Sequence, residues 1–504
     1  MLSPLSRWGS FLLLLSAAAI LSFVFAHAVW PLALPPPWED EIHFLIPAVS
    51  FAHGNGFSGA RMLTPQIYWM PSGYYILNGI VFFLADHAGL RLARLVSFLC
   101  VTGAALILRH VVAVVLGELD ERRPVLGTAL VLVWYLSLPV VFGADIARPD
   151  ALALLTTLAA LDCLLRGRLL AGFAFAALSV MVHPLLALPA CAVAFCALPM
   201  LRPSRWNTLR VRWWEWLVLV IAIAVVAVEA ERLAGDFAVY RAHWAFQLSR
   251  KAGRHAGAAV KLSAVVTFVA ACWAFVSCWR SGWVEAKLSP MLAWRFALIF
   301  SIAAVFAHLT GKEMWYFPLL LLGLLLILCA LLGSLRAESV ARFGVLAIPL
   351  AAVAVLAGLA TWGIGLRAHG VYGFHVQPRV LARVDTDLRA MTETTHDLLA
   401  HEDAKAVLVD PSLYYPYLGQ RAATLPQDFT WNPLSRPADI GFDHVVVLKK
   451  GYPSFASDFP ADLLPGYACA AEKDLSTADG RYVIGITTVT RGADASRPYT
   501  PCAS

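Results

Sequence analysis

Long apolar runs recur through the first two-thirds of the chain, with polar residues gathered in short clusters between them. Of 504 residues, 60% are hydrophobic and only 14% are charged. A soluble globular chain carries about a quarter charged residues. A membrane-crossing helix needs about 20 apolar residues. Candidate spans lie at 11–31, 92–116, 125–142, 151–165, 169–182, 184–200, 213–229, 260–279, 296–309, 316–332 and 343–362, about eleven in all. The expected fold is an α-helical polytopic membrane protein with interfacial helices, followed by a small C-terminal α/β domain. The expected domains are 1–364 for the transmembrane part and 365–504 for the tail. The pair either side of His183-Pro184 reads equally as one kinked element, with Pro184 supplying the kink.

Loop charge sets an orientation. With the N-terminus inside, the inside loops hold Arg122-Arg123, Arg166 and Arg168, Arg202 to Arg212, Arg280 with Lys287, and Arg336 with Arg342, as the positive-inside rule expects. The N-terminal run has the outline of a signal peptide but is long enough to be a first span; the span is favoured. The expected location is the cell (inner or plasma) membrane, multi-pass. Counting 72–84 as a full span would invert every later loop. It reads instead as a helix at the outer interface, with Tyr68, Trp69, Tyr74 and Tyr75 at headgroup depth. A second such helix is expected at 42–52, ended by Gly54 and Gly56.

The polar tail has β-rich runs at 406–409, 444–448 and 482–489 and a helix-like stretch at 380–401. It shows no Gly-rich phosphate fingerprint. Of nine cysteines, none forms a CxxC pair, which argues against zinc or iron–sulfur. Cys469 and Cys502 in the tail could pair in an oxidising compartment. Basic residues are scattered without an aromatic platform, which excludes a nucleic-acid partner.

Chemistry is expected where charge meets the bundle mouth. Glu39, Asp40 and Glu41 form an acidic run before the first interfacial helix, and three adjacent carboxylates there are costly to place. On the same expected outer side lie Asp145 with Asp150, the cations from Arg232 to Lys261, and Lys312-Glu313 with Tyr316. Asp150 reads alternatively as a helix N-terminal residue. Tyr316 reads alternatively as an interfacial anchor. His183 reads as structural.

As an ordered set these places resemble the C-type-fold (GT-C) membrane glycosyltransferases. The matching residues are Asp40-Glu41, Pro71-Ser72-Gly73-Tyr74-Tyr75, Arg94-Leu95-Val96-Ser97, Arg148-Pro149-Asp150-Ala151-Leu152, and Lys312 through Tyr316 to Pro318. The protein O-mannosyltransferases and the lipid A aminoarabinose transferases look like the nearest relatives. Met70 stands where many relatives carry Lys, and Ser72 replaces the second proline. The resemblance therefore moves one phosphate contact to Arg61 or to the outside basic loop.

The resemblance implies an enzyme that moves a sugar from a polyprenyl-phosphate donor to an acceptor hydroxyl on the extracytoplasmic side, with inversion. Partners are then the lipid-linked donor, a lipid, glycan or protein acceptor, and membrane lipids. Such a reaction needs a base for the acceptor proton and stabilisation of the departing phosphate. Asp40 is the expected base, with Glu41 as its partner or a structural cap. Asp150 orients the acceptor or, with Asp40, ligates a divalent cation such as Mg or Mn. Arg241, His243, Arg250, Lys251, Lys312 and Tyr316 are the remaining phosphate candidates, with Arg suited to bidentate contact. A transporter or flippase is the rival reading, but internal repeats and mid-span charges are not evident. A non-catalytic assembly protein is the other.

Overall fold

The computed structural model describes residues 39–57, 70–198, 211–245, 296–307, 316–334, 378–424, 441–451 and 461–502, apart from short stretches within these ranges. The main helices are α1 Glu39–Ala52, α2 Gly73–Ala85, α3 Leu90–Leu116, α4 Glu118–Arg122, α5 Pro124–Tyr135, α6 Pro149–Leu165, α7 Leu169–Val182, α8 Leu188–Ala197, α9 Trp213–Gly235, α10 Phe317–Ser334 and α11 Pro378–His401. The chain divides into two units. One comprises Met1–Phe23, Trp69–Tyr74 and Leu95–Gly365; the other comprises Val24–Tyr68, Tyr75–Arg94 and Leu366–Ser504.

The expected architecture of about eleven spans is overturned. Among the described residues, one helix, α3, is long and apolar enough to cross a membrane. The other apolar helices have 10–17 residues: Gly73–Ala85, Pro124–Tyr135, Leu169–Val182, Leu188–Ala197 and Pro318–Cys329. Hydropathy counts apolar residues without locating helix ends. Here α5 stops at Tyr135, short of the run's end at Phe142, whereas α7 ends at Val182 before the His183-Pro184 turn, at the bounds expected for that segment. Proline lacks the N–H that would continue the ladder and disfavours helical backbone in the residue before it. The expected spans at 260–279 and 343–362 and the N-terminal run lie outside the described residues.

In the first unit α6 and α7 form an antiparallel hairpin. Its turn follows from Gly167, whose φ of 69° suits a residue with no Cβ. Arg168 N–H donates to Cys163 O and Gly167 N–H to Leu164 O, the pairing that ends a helix in a Schellman turn. Thr157 Oγ1 donates to Leu186 O at 3.2 Å and lies 3.3 Å from Ser179 Oγ, which fixes the register. α9 packs on α7. Their starts are joined by Arg168 and Glu215, 3.0 Å apart, so the two helices run in the same direction.

In the second unit the acidic run begins α1. Glu41 is fully buried and takes two bonds from Arg94, from Nε to Oε1 at 2.9 Å and from Nη2 to Oε2 at 2.7 Å. Removing one partner of such a pair costs about 3–5 kcal/mol, because the other charge is left buried. α1 ends at Gly54 and Gly56, both at positive φ, as expected. Tyr75 is buried against Phe57, and Tyr74 in the first unit is equally buried. The headgroup placement of these two tyrosines is corrected: their rings fill protein interior.

The tail folds as a five-stranded sheet of order β2-β1-β3-β5-β4, with β1 Val407–Val409, β2 Ala422–Thr424, β3 His444–Lys450, β4 Tyr467–Ser476 and β5 Val483–Arg491. β1 pairs parallel with β2 and β3; β5 pairs antiparallel with β3 and β4. Leu408, Val445, Val447, Tyr467 and Val489 form its core. Cys469 is disulfide-bonded to Cys502, with Cα atoms 4.9 Å apart.

Candidate functional site

The features that converge lie at one end of the first unit. Arg148 is the N-cap of α6 in extended backbone, Pro149 opens the helix, and Asp150 follows in the first turn. Proline suits that position because its missing N–H would have had no helical partner. Arg148 Nε donates to Asp150 Oδ2 at 2.9 Å, with both side chains under 9% exposed. Asp150 Oδ1 is buried and has no hydrogen-bond partner among the described residues. A buried carboxylate oxygen left in that state is costly.

The hairpin register brings the end of α7 to the same level. Asp150 lies seven residues before Thr157, and His183 lies four after Ser179. At 1.5 Å per residue the two are offset by about one helical turn along the hairpin axis. His183 ends α7 in extended backbone. Tyr316 packs on it edge to face at 5.6 Å, with its hydroxyl 3.5 Å from His183 Nε2. Tyr316 is only 5% exposed, which replaces the anchor reading with a buried contact. Close by in the chain, Pro318 O accepts from Trp134 Nε1 at 3.0 Å, which ties the start of α10 to the end of α5.

The Pro-aromatic segment reaches this end as well. A Cβ on Gly73 would lie 2.7 Å from Met181 O and 3.1 Å from Val182 Cγ2, so the segment approaches the last turn of α7 only because residue 73 is glycine. Glu229, on the last turns of α9, accepts from Ser72 N–H at 2.9 Å. Arg232 donates to Met70 O at 3.0 Å and to both oxygens of Glu229. Sequence reasoning placed Arg232 in an outside loop and ended the helix at 229. Glu229 and Arg232 sit three residues apart, one turn on the same helix face, and a charged pair closing an apolar helix was the available signal. The opposite end of the unit carries Arg109 with Asp120 and Arg168 with Glu215.

Asp40 stands in the first turn of α1, and its side chain lies outside the described residues, as do Arg61, Asp145, His243, Arg250, Lys251 and Lys312. Arg241 is helical and exposed. Glu41 is buried in its pair with Arg94 in the second unit. Of the two ligands expected for a divalent cation, Asp150 is described and paired with Arg148, and the side chain of Asp40 lies outside the described residues. Among the described residues no three His, Cys, Asp or Glu side chains gather as metal ligands, and Arg148 already places a cation against Asp150. Comparisons with protein-family models, with curated proteins and with solved structures find no match.

Proposed function

We propose that the chain is a membrane-bound transferase that moves a sugar from a polyprenyl-phosphate donor to an acceptor hydroxyl with inversion. The observation that carries this reading is Asp150. One oxygen is held by Arg148 and the other is buried and unpartnered, at the end that also gathers His183, Tyr316 and the 70–73 segment. A carboxylate oxygen so prepared accepts the hydrogen bond of an incoming hydroxyl and takes its proton as the new glycosidic bond forms. Asp40 is the alternative base. Tyr316 serves the departing phosphate as a hydrogen-bond donor.

A lipid-borne donor requires a membrane-embedded protein. α3 supports this by its length and composition. α9 supports it by its exposed Trp213, Trp216, Val220 and Ile223, a face suited to acyl chains with tryptophan at one end. The Cys469–Cys502 disulfide supports a tail in an oxidising, extracytoplasmic compartment.

The test is transfer from a panel of polyprenyl-phosphate sugars by the full-length protein in detergent. Asp150→Asn should lower turnover by about 10²–10⁴-fold with folding retained. Turnover like wild type in that variant removes Asp150 as the base. No transfer by the wild type with any donor removes the reading itself.

A further inference from the structure

In the tail, β4 is the outermost strand on one side of the sheet, and its two halves meet solvent differently. The second half carries Glu472, Lys473 and Asp474, all exposed. Charge on an edge strand guards it against stray pairing. The first half, Tyr467–Ala471, carries no charge. It is covered instead. Gly466 N–H donates to Arg497 O at 2.6 Å, Thr500 N–H to Tyr467 O at 3.0 Å and Cys469 N–H to Thr500 O at 2.9 Å. Thr500 thereby forms a parallel bridge with Ala468. The cover stops where β4 shifts its register against β5, between Cys469 and Ala471. Such a bulge turns an edge away from neighbours.

Tyr499 packs against the tail's core and anchors the covering segment at one end. Beyond it, among the described residues, the two backbone bonds of Thr500 and the Cys469–Cys502 disulfide hold residues 500–502. Thr500 and Pro501 are exposed, and both cysteines are half-buried, so a reductant in solution reaches the pair. Ordering residues near a chain end costs backbone freedom. Two hydrogen bonds gain little over those the same groups make with water. The disulfide supplies the difference by keeping Cys502 beside Cys469. We propose that this disulfide is a redox-operated clasp, whose reduction releases residues 500–502 and uncovers the edge of β4 at Tyr467–Cys469 while the rest of the sheet stays folded. The clasp does not rest on the transferase reading.

The electrons come from a dithiol. One thiolate of the dithiol attacks a sulfur of the pair, forms a mixed disulfide and expels the other cysteine as a thiolate. The second thiol of the reductant then resolves the mixed disulfide. The products are two cysteine thiols and one oxidised reductant carrying its own disulfide, and the two protons pass from the dithiol to the cysteines. The cysteines Cys100, Cys163, Cys191, Cys196 and Cys329 are already free thiols, so reduction leaves them unchanged. With the clasp open, Tyr467 O and Cys469 N–H lose Thr500 and present an unpaired strand edge, a template for another chain.

Hydrogen exchange of the full-length protein in detergent, read by mass spectrometry on short peptides, tests this with dithiothreitol as the dithiol. In the oxidised protein the amides of Cys469 and Thr500 should be protected. After reduction both should exchange within about tenfold of an unstructured chain, while β3 and β5 keep their protection. Cys502→Ser should show the reduced pattern with no reductant present. Deleting residues 500–504 should expose the Cys469 amide to the same extent with or without dithiothreitol. Protection of Cys469 and Thr500 that survives reduction overturns the proposal, because the hydrogen bonds then hold the cover unaided. Loss of protection in β3 and β5 along with them also overturns it, since the disulfide then supports the whole tail. So does a protected Cys469 amide in Cys502→Ser or in the deletion protein.

Discussion

Glu41 and Asp150 are both acids of the expected catalytic set, both buried, and both paired with arginine. They differ in how the pair is made. Arg94 meets Glu41 with two parallel bonds, one to each oxygen. Arg148 meets Asp150 through a single oxygen and leaves Oδ1 without a partner among the described residues. In the first arrangement both carboxylate oxygens are bonded. The second is incomplete in a place where burial makes incompleteness costly. Residue type and burial are alike for the two acids; the account of each oxygen is not.

The comparison breaks most visibly in activity. Asp150→Asn should abolish most transfer while shifting the melting temperature little, whereas a Glu41 variant that still folds should retain turnover per folded molecule. Stability should show the reverse order. Glu41→Gln leaves Arg94 buried beside a neutral group and should cost about 3–5 kcal/mol, read by thermal unfolding. Replacing both partners, as Glu41→Met with Arg94→Leu, should recover most of that loss. If the double variant is as unstable as Glu41→Gln, the pair does more than balance its own charges.

In the tail, reduction of Cys469–Cys502 releases a cross-link between residues 33 apart and should cost about 2–4 kcal/mol, seen as a lower midpoint in denaturant with reductant. The smallest effect concerns Lys449, which is bonded to Glu472 and Asp474. Burial alone would lower its pKa, but the bonds from those two carboxylates outweigh it and the net shift is upward. A raised lysine pKa stabilises the fold at and below the ordinary lysine range. The contribution should therefore be present at neutral pH and disappear as pH rises through the folded-state value, above about 10.4. Lys449→Met should flatten that alkaline limb, checked by unfolding as a function of pH.

Much of the tail was legible because its signals are local. The helix expected at 380–401 is α11, Pro378–His401, and the runs at 406–409, 444–448 and 482–489 are β1, β3 and β5. β4 escaped because Tyr467–Ser476 carries Glu472, Lys473 and Asp474 in an edge strand that is largely exposed, so no apolar alternation marked it. The helical region was misread for a different reason. Apolar content is visible in sequence, but whether it faces lipid or another helix is not. In α6, fourteen residues are buried within the protein. At the site, Arg148-Pro149-Asp150 was legible as a motif. The roles of His183, Glu229 and Arg232 depended on partners more than a hundred residues away, beyond the reach of any local pattern.

The central claim is that the end of the first unit bearing Asp150, His183, Tyr316 and the 70–73 segment receives the lipid-linked donor. Photo-crosslinking with a diazirine-bearing polyprenyl-phosphate sugar, mapped by mass spectrometry, tests it most directly. The account expects label on peptides containing 70–73, 148–150, 183 or 316, reduced by excess unlabelled donor. Competable label confined to the opposite end, around Arg168 and Glu215, would contradict it.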